Sequence, residues 1–230
     1  MKKLYFIALL ASSILVACGG DDDSNELGNN KENIGNTTVN DNVSELSESE
    51  KFFVGTWELS TANSSRFTFF PNKRVVKDGS WRGKWTYNEQ TNTLGTTLGS
   101  WAFRVLAKGE DFWSCETVST KKGVNATKGT DTQYFKDYIN SVKWHNTESN
   151  TLLNVESSDS KQIEYKDCVV KENSMTCKVV IYDKSYRRQA EGRITIKDIN
   201  TQTPILTVEN SYIIMKYFEV GTYIGNWDNN

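Results

Sequence analysis

The sequence predicts a mainly β domain in which an antiparallel meander closes into a barrel or folds as a sandwich, with one short helix. Three observations support this class. Apolar and polar residues alternate over many short segments, which is the period of a half-buried strand. Turn-forming residues such as Pro71-Asn72-Lys73 separate these segments at short intervals, as hairpin connections do. All seven tryptophans lie after residue 50, where a small β domain needs large side chains for its core.

The first residues have the organisation of a cleaved secretory signal. Lys2 and Lys3 precede an apolar core that spans residues 4–16. This core is shorter than the roughly 20 residues that a membrane-spanning helix needs. Small residues then lead to Cys18, and this ending resembles the lipobox of bacterial lipoproteins. The resemblance implies that residues 1–18 form a signal peptide ending at a lipidated cysteine, whose acyl chains anchor the mature chain to a membrane.

The residues after Cys18 predict which membrane this is. No aspartate follows the cysteine directly, so the retention signal of inner-membrane lipoproteins is absent. The acidic run Asp21-Asp22-Asp23 resembles the surface-export signal of Bacteroidota lipoproteins. The resemblance implies a lipid-anchored protein of the outer membrane, at the cell surface. A soluble spacer is the alternative interpretation of the same run.

Residues 19–50 are predicted to form a disordered acidic tether. They hold nine acidic residues and one lysine, and they contain no aromatic residue. Such a segment buries too little apolar surface to offset the entropy of ordering it. A short helical lead-in is predicted at its end, over 44–51. Residues 51–230 then form a single β-rich domain, whose 24 basic and 20 acidic residues are too evenly balanced for a nucleic-acid partner.

Alternation identifies the individual strands. It is clearest in the segments 81–87, 101–106 and 193–197, where large apolar residues recur at every second position. Sequential strands joined by short turns favour an antiparallel meander. Further strands are predicted at 53–60, 65–70, 111–118, 162–170, 175–183, 203–209 and 211–219.

One segment has helical spacing instead. Apolar residues recur three or four positions apart between Tyr134 and Val142, which predicts an amphipathic helix over 131–144. The preceding residues, 119–130, are rich in lysine, glycine and threonine. They are predicted to form a mobile loop that leads into the helix.

Three cysteines follow the lipidation site. If Glu172 and Asn173 form a hairpin turn, Cys168 and Cys177 face each other on neighbouring strands. Directly opposed residues have Cβ atoms about 4.5–5.5 Å apart, close to the roughly 3.5–4.5 Å that a disulfide needs. A compartment outside the cytoplasm permits the bond. We therefore predict a Cys168–Cys177 disulfide and a buried free thiol at Cys115.

Residues that catalysis needs are sparse. His145 is the single histidine, and a capping or surface role is preferred over a dyad with Cys115. The chain has no G-x-S-x-G elbow and no phosphate-binding glycine loop, and one histidine with an odd cysteine does not make a metal site. We expect no enzyme, cofactor or metal. Carboxylates in or beside strands keep a hydrolase open as an alternative, and these are Glu58, Glu110, Asp111, Glu116, Glu164 and Asp167.

Four clustered tryptophans are the candidate ligand-binding residues. Trp81, Trp85, Trp101 and Trp113 lie on three successive strand candidates, and neighbouring strands of a meander bring them to one side. In a hollow barrel they would line a site for an apolar compound or a sugar. The preferred alternative is that these rings fill the core.

Three short motifs resemble those of lipocalins. The triplet from Gly55 to Trp57 matches their G-x-W signature, 66–72 resembles the F-x-F strand and its turn, and 83–88 resembles a G-x-W-x-Y strand of bacterial lipocalin-like lipoproteins. The resemblance implies a barrel around a small apolar ligand, closed at one end by Gly55, Trp57 and a basic residue of a late strand. Arg193 is the predicted basic residue. Ten or more strand candidates and a mid-domain helix depart from the eight-stranded pattern.

Together these features predict a lipid-anchored envelope protein whose barrel-like domain binds a small apolar or glycan ligand without catalysis. The alternative is a surface interaction module, such as an adhesin, an inhibitor or an accessory subunit of an envelope complex. A carboxylate-dependent hydrolase is the second alternative. A hollow barrel favours ligand binding, and a packed barrel favours the interaction module.

Overall fold

The computed structural model describes residues 45–61, 63–185, 187–209 and 220–227. The structure is 55% strand and 8% helix, which confirms the predicted mainly β class. The signal peptide with Cys18, most of the tether and the strand predicted at 211–219 lie outside the described residues. In chain order the described elements are α1 (Glu48–Lys51), β1 (Gly55–Leu59), β2 (Ser65–Phe69), β3 (Arg74–Lys77), β4 (Trp81–Asn88), β5 (Thr93–Thr96), β6 (Ala102–Lys108), β7 (Phe112–Thr117), β8 (Gly123–Lys128), α2 (Asp131–Ile139), β9 (Val142–Asn146), β10 (Lys161–Lys171), β11 (Ser174–Asp183), β12 (Arg188–Lys197), β13 (Ile205–Glu209) and β14 (Gly221–Trp227).

Strands β1 to β8 form a closed antiparallel barrel in which each strand pairs with the next along the chain. The last strand pairs with the first, with Trp57 opposite Lys128 and Leu59 opposite Ala126. A closed barrel has no edge strand, so each strand has a hydrogen-bonding neighbour on both sides.

The closing strand β8 lies within 119–130, which the sequence predicted to be a mobile loop, so that prediction is wrong for 123–128. Val124 and Ala126 alternate inward between exposed neighbours. These two small apolar residues are a weak signal in a segment rich in lysine and threonine. Pairing with both β7 and β1 makes this segment a strand, because strand formation depends more on neighbours than on local propensity.

Helix α2 is shorter than predicted. The Thr130 hydroxyl accepts a hydrogen bond from the Gln133 N–H at the start of the helix, and Asn140 caps its end. Val142, predicted on the helix, lies in β9, where Val142 and Trp144 are buried at alternate positions. The apolar pattern continues across the boundary between α2 and β9, because the end of the helix and the start of the strand bury residues in the same core.

A six-stranded antiparallel sheet forms the rest of the domain, in the order β10-β11-β12-β13-β14-β9. The β10–β11 hairpin turns where predicted, with Val170 opposite Met175. A bulge then shifts the register, so Asp167 and Cys168 together oppose Cys177 and the predicted one-to-one facing is wrong. The predicted disulfide between Cys168 and Cys177 is confirmed, with Cα atoms 4.1 Å apart.

Residues 45–50, predicted as the end of the tether, are ordered and pack against the domain. Ser47 and Glu50 form a capping box at the start of α1. The Ser47 hydroxyl also donates a 2.9 Å hydrogen bond to Glu89, and Leu46 packs partly buried against the barrel core. The predicted disorder is therefore wrong for this stretch, while the predicted helical lead-in is confirmed at Glu48–Lys51.

The described residues form two hydrophobic cores. The first fills the barrel, and the second lies between the outer wall of the barrel, α2 and the six-stranded sheet. Phe70, at the end of β2, joins the second core through ring contacts with Tyr138 at 5.1 Å and Trp227 at 5.4 Å. Tyr138 and Trp227 also meet edge to face, at 5.0 Å. These aromatic contacts connect the barrel, the helix and the sheet.

A buried carboxylate fastens α2 to the barrel wall. Asp137 accepts a 2.5 Å hydrogen bond from the Thr68 hydroxyl and lies 3.5 Å from Arg66 Nε, and both partners are on β2. Gln133, one helical turn earlier, donates to the other carboxylate oxygen at 3.0 Å. The Thr56 hydroxyl lies 3.0 Å from that of Thr68, which extends the network to β1. Both oxygens of the buried carboxylate therefore have partners, as burial of a charge requires.

The substitution Asp137→Asn is expected to lower the free energy of unfolding by about 1.5–3 kcal/mol, because the amide keeps the size of the side chain but loses the charge-assisted hydrogen bonds. Urea unfolding followed by tryptophan fluorescence measures this change. Lys136→Gln, an exposed substitution on the same helix, is the control and should change stability by less than about 0.5 kcal/mol. Equal effects of the two variants would contradict the anchoring role of Asp137.

Candidate ligand-binding groove

The interior of the barrel is filled by aromatic side chains. Trp113 packs edge to face against Phe53 and Phe103, with ring centroids 5.8 Å away in each case. Its ring also lies 6.1 Å from that of Trp57. Ring pairs at 4.5–7 Å in edge-to-face arrangement are typical of packed protein cores. The interior of the barrel is therefore packed with side chains and not hollow.

The four tryptophans predicted to line a ligand site do not surround one cavity. Trp85 and Trp113 are fully buried in the barrel core. Trp81 begins β4 with 67% of its surface exposed, and Trp101 is half-buried at the end of a connection, with its ring 5.5 Å from Phe67. The prediction that these four tryptophans line one ligand site is therefore wrong. Period-2 alternation places these residues on one side of their strands but does not distinguish a core from a cavity.

The three residues predicted to close one barrel end lie in two different sheets. Gly55 has a φ of +134°, a conformation that favours glycine. Trp57 is buried, and its indole N–H donates a 2.8 Å hydrogen bond to the Phe53 carbonyl. Arg193, predicted to cover Trp57, lies on β12 of the six-stranded sheet with its side chain exposed, opposite Lys178. The predicted contact between Arg193 and Trp57 is wrong, because the late strand that carries Arg193 belongs to the second sheet and not to the barrel.

A lysine that was not predicted from the sequence lies at this end of the barrel. The Lys108 ammonium lies 4.5 Å from the Phe53 ring centre, 5.0 Å from Phe52 and 4.6 Å from Tyr87. Burial lowers the pKa of Lys108, and the nearby Glu89 carboxylate opposes this shift. A cation over aromatic faces is stabilising. Lysine at the end of a strand is common at surfaces, so the pattern of the sequence carried no signal for this contact.

The residues considered for catalysis are separated in the structure. Cys115 is a buried free thiol in the barrel core, as predicted, and burial raises its pKa to about 12. It is therefore a protonated, unreactive thiol at neutral pH. His145 is half-buried on β9 of the second sheet, so the dyad between the two residues is wrong.

The candidate carboxylates lie at exposed or half-buried positions of strands and turns. Glu116 is 3.3 Å from Arg104, and Glu164 is 3.0 Å from Lys166. These are ion pairs on solvated strand faces, which contribute little to stability. Within the described ranges, no group of three or more His, Cys, Asp or Glu is placed to hold a metal ion. In the same part of the chain, no helix has the length and apolar character needed to cross a membrane.

A cavity lies in the groove between the barrel and the six-stranded sheet. We call it the seam cavity, and its volume is about 570 Å³. Its walls come from α1, the β2–β3 turn, α2, the β10–β11 hairpin and the loop after β12. Apolar side chains form most of the lining, and these are Leu46, Val54, Pro71, Tyr134, Val170 and Ile199.

Two residues that line the seam cavity each have a buried polar atom without a partner. The Tyr134 hydroxyl and the Asn200 side-chain oxygen make no hydrogen bond among the described residues. Burial, together with the nearby Asp131 carboxylate, raises the pKa of Tyr134, so its hydroxyl stays protonated. Both atoms are buried beneath the surface of the cavity, so the surface that the cavity presents to a ligand is mainly apolar.

A second cavity of about 470 Å³ lies further along the same groove. Its lining is polar and basic, and it consists of Asn72, Lys73, Arg74, Lys84, Gln202, Thr203, Asn226 and Trp227. The Asn72 side-chain amide donates a 3.4 Å hydrogen bond to the carbonyl of Thr201, which borders the seam cavity. The β2–β3 turn and the loop after β12 thus meet between the two cavities.

No family model, curated protein or solved structure matches this chain. The fold and the groove define a class of domain, namely a closed eight-stranded antiparallel barrel joined through one helix to a six-stranded sheet. That class rests on the geometry of this chain alone.

The substitution Trp113→Ala is expected to lower the free energy of unfolding by about 3–5 kcal/mol, because it removes a fully buried ring from the barrel core. Trp81→Ala makes the same chemical change at an exposed position and should alter stability by less than about 0.5 kcal/mol. Guanidinium unfolding followed by circular dichroism measures both. A Trp113 variant as stable as the wild type would show that this ring is not part of a packed core.

Proposed function

We propose that this chain is a lipid-anchored protein of the bacterial outer membrane, exposed at the cell surface, that binds a small ligand without catalysis. The ligand would bind in the groove between the barrel and the second sheet rather than inside the barrel. The observation that carries this proposal is the contrast between a packed barrel interior and a seam cavity of about 570 Å³. Ligand pockets typically measure about 300–1,000 Å³ and are lined mainly by apolar side chains.

The described end of the predicted tether lies beside the groove. Glu45 and Leu46 are the first described residues of the chain, and both border the seam cavity. Acyl chains on Cys18 would hold the protein at the membrane, and the acidic segment that follows this cysteine would separate the domain from the lipid surface.

A surface interaction module is the second candidate function, and one observation favours it. Three exposed apolar side chains, those of Ile205, Ile224 and Leu152, lie on the six-stranded sheet, with the half-buried His145 between the last two. Ile205 faces Ile224, which in turn faces His145, and His145 is bridged to Leu152. The ligand-binding experiment separates the two functions, because an intact domain that binds no small molecule in the groove favours the interaction module.

The environment-sensitive dye N-phenyl-1-naphthylamine should bind the wild-type domain and fluoresce. Val170→Trp fills the seam cavity and should weaken dye binding by about tenfold or more, whereas Val169→Trp should leave it unchanged. Val169 is the adjacent residue of β10, 51% exposed and outside the cavity lining, so it is the matched control. Fluorescence titration measures the affinities, and circular dichroism checks the fold. Absence of dye binding, or equal loss in both variants, would count against a ligand site in the groove.

Replacement of Cys18 should abolish the anchor. In a Gram-negative host, the wild-type chain is expected to partition into the detergent phase of Triton X-114, and Cys18→Ser into the aqueous phase. Cys115→Ser, a cysteine change in the barrel core, should retain the acyl chains. Mass spectrometry of the mature amino terminus provides the direct measurement. A wild-type chain with an uncut leader and an unmodified Cys18 would refute lipid anchoring.

A further inference from the structure

We propose that the second cavity of the groove binds an acidic sugar, whose carboxylate contacts basic side chains and whose hydroxyl groups contact neighbouring amides. This site, which we call the basic cavity, is the cavity of about 470 Å³ that contains Lys73, Arg74 and Lys84. The proposal goes beyond the ligand of the seam cavity, because a different set of residues carries it. Its charge, the pairing of its strands and its uncharged polar lining support it.

The basic cavity carries an excess of positive charge. Its described lining holds the three basic side chains and no acidic one. Lys73 is paired with Glu50 of α1, so two of the three positive charges remain when this carboxylate is counted. Lys84 is exposed and makes no ion pair with a described residue. A cleft whose walls carry one sign of charge attracts ligands of the opposite sign, which here means an anion.

Two of these cations face each other across neighbouring strands. Arg74 of β3 is paired directly with Lys84 of β4. Directly opposed residues have Cβ atoms about 4.5–5.5 Å apart on the same face of the sheet, and like charges at such positions are destabilising. An anion between the two side chains is attracted by both and offsets their repulsion. The arrangement therefore lowers the stability of the free protein and becomes favourable when a negative charge is bound.

Aromatic rings hold two of the cations in place. The Arg74 guanidinium lies 5.3 Å from the centre of the Trp227 ring and donates a 3.4 Å hydrogen bond to Gln202 Oε1. The Lys73 ammonium lies 4.6 Å from the centre of the Trp85 ring. A cation over an aromatic face is stabilised there. Side chains that are held before the ligand arrives lose less entropy on binding.

Uncharged polar side chains complete the basic cavity and indicate a hydroxylated ligand. Gln202, Thr203 and Asn226 line it beside the cations. The Gln202 side-chain oxygen accepts from Arg74, and its amide nitrogen is a further donor. Amide and hydroxyl side chains both donate and accept hydrogen bonds, as the hydroxyl groups of a sugar do. Cations together with such groups match a sugar that carries a carboxylate.

Three probes separate the contribution of the charge from that of the hydroxyl groups. Glucuronate carries both, glucose carries only the hydroxyl groups, and acetate carries only the carboxylate. Isothermal titration calorimetry of the wild-type chain measures their affinities at neutral pH and low ionic strength, where charges are weakly screened. Glucuronate is expected to bind at least about tenfold more tightly than glucose or acetate. Absence of glucuronate binding, or equally tight binding of either of the other two probes, would overturn the proposal.

Lys84→Gln tests the two opposed charges. This variant should weaken glucuronate binding about tenfold, because it removes a charged hydrogen-bond donor. It should also raise the melting temperature of the ligand-free chain by about 1–3 °C, because it removes the repulsion with Arg74. Lys122→Gln makes the same change at an exposed position between β7 and β8 and should alter neither property. Unchanged glucuronate affinity in Lys84→Gln, or an equal loss in both variants, would contradict a site at Lys84.

The outcomes at the two cavities are independent. Lys84 lies outside the lining of the seam cavity, so Lys84→Gln should leave the affinity for N-phenyl-1-naphthylamine unchanged. Dye binding without glucuronate binding would refute the acidic-sugar site and leave the ligand site of the seam cavity standing. Glucuronate binding that depends on Lys84, without dye binding, would support the acidic-sugar site and refute the seam cavity as a ligand site.

Discussion

The contact between Asp137 and the outer wall of the barrel is the constraint on which the arrangement of this domain depends. A closed barrel presents outward-facing residues to solvent, and α2 covers part of that surface. Asp137 is buried, and its partners Thr68 and Arg66 are both on β2, so the helix has one favourable position along the wall. The six-stranded sheet packs on the other side of the helix, where Phe135 lies 5.2 Å from Tyr165 of β10. Loss of the carboxylate would leave these layers connected mainly by apolar contacts, which are less directional.

Filling of the barrel decides where a ligand can bind. A barrel of eight strands is just wide enough for side chains to fill it or for one small ligand. In this chain Trp85 and Trp113 fill it, together with phenylalanines from neighbouring strands. The available volume lies instead in the groove that forms because a second sheet packs against a curved wall. Grooves between packed units are frequent ligand sites, and they need no opening in the barrel itself.

The groove combines features that serve recognition in different ways. The seam cavity is lined mainly by apolar side chains, whereas the neighbouring cavity carries the cationic side chains of Lys73, Arg74 and Lys84. Burial supplies most of the affinity for an apolar body, and a few placed polar atoms supply orientation and selectivity. An anchored protein with such a groove would sample ligands close to the membrane that holds it.

The mainly β class, the β10–β11 turn and the disulfide between Cys168 and Cys177 were all predictable from the sequence. These depend on residues close together in the chain, whose period and turn chemistry are local properties. Long-range packing places 123–128 at the closure of the barrel and Arg193 in a second sheet, and it buries Trp85 and Trp113 while Trp81 stays exposed. The groove depends on contacts between residues far apart in the chain. Asn72 and Thr201, for example, meet there although 129 positions of sequence separate them. No local pattern encodes such a contact, because it arises from the packing of whole sheets.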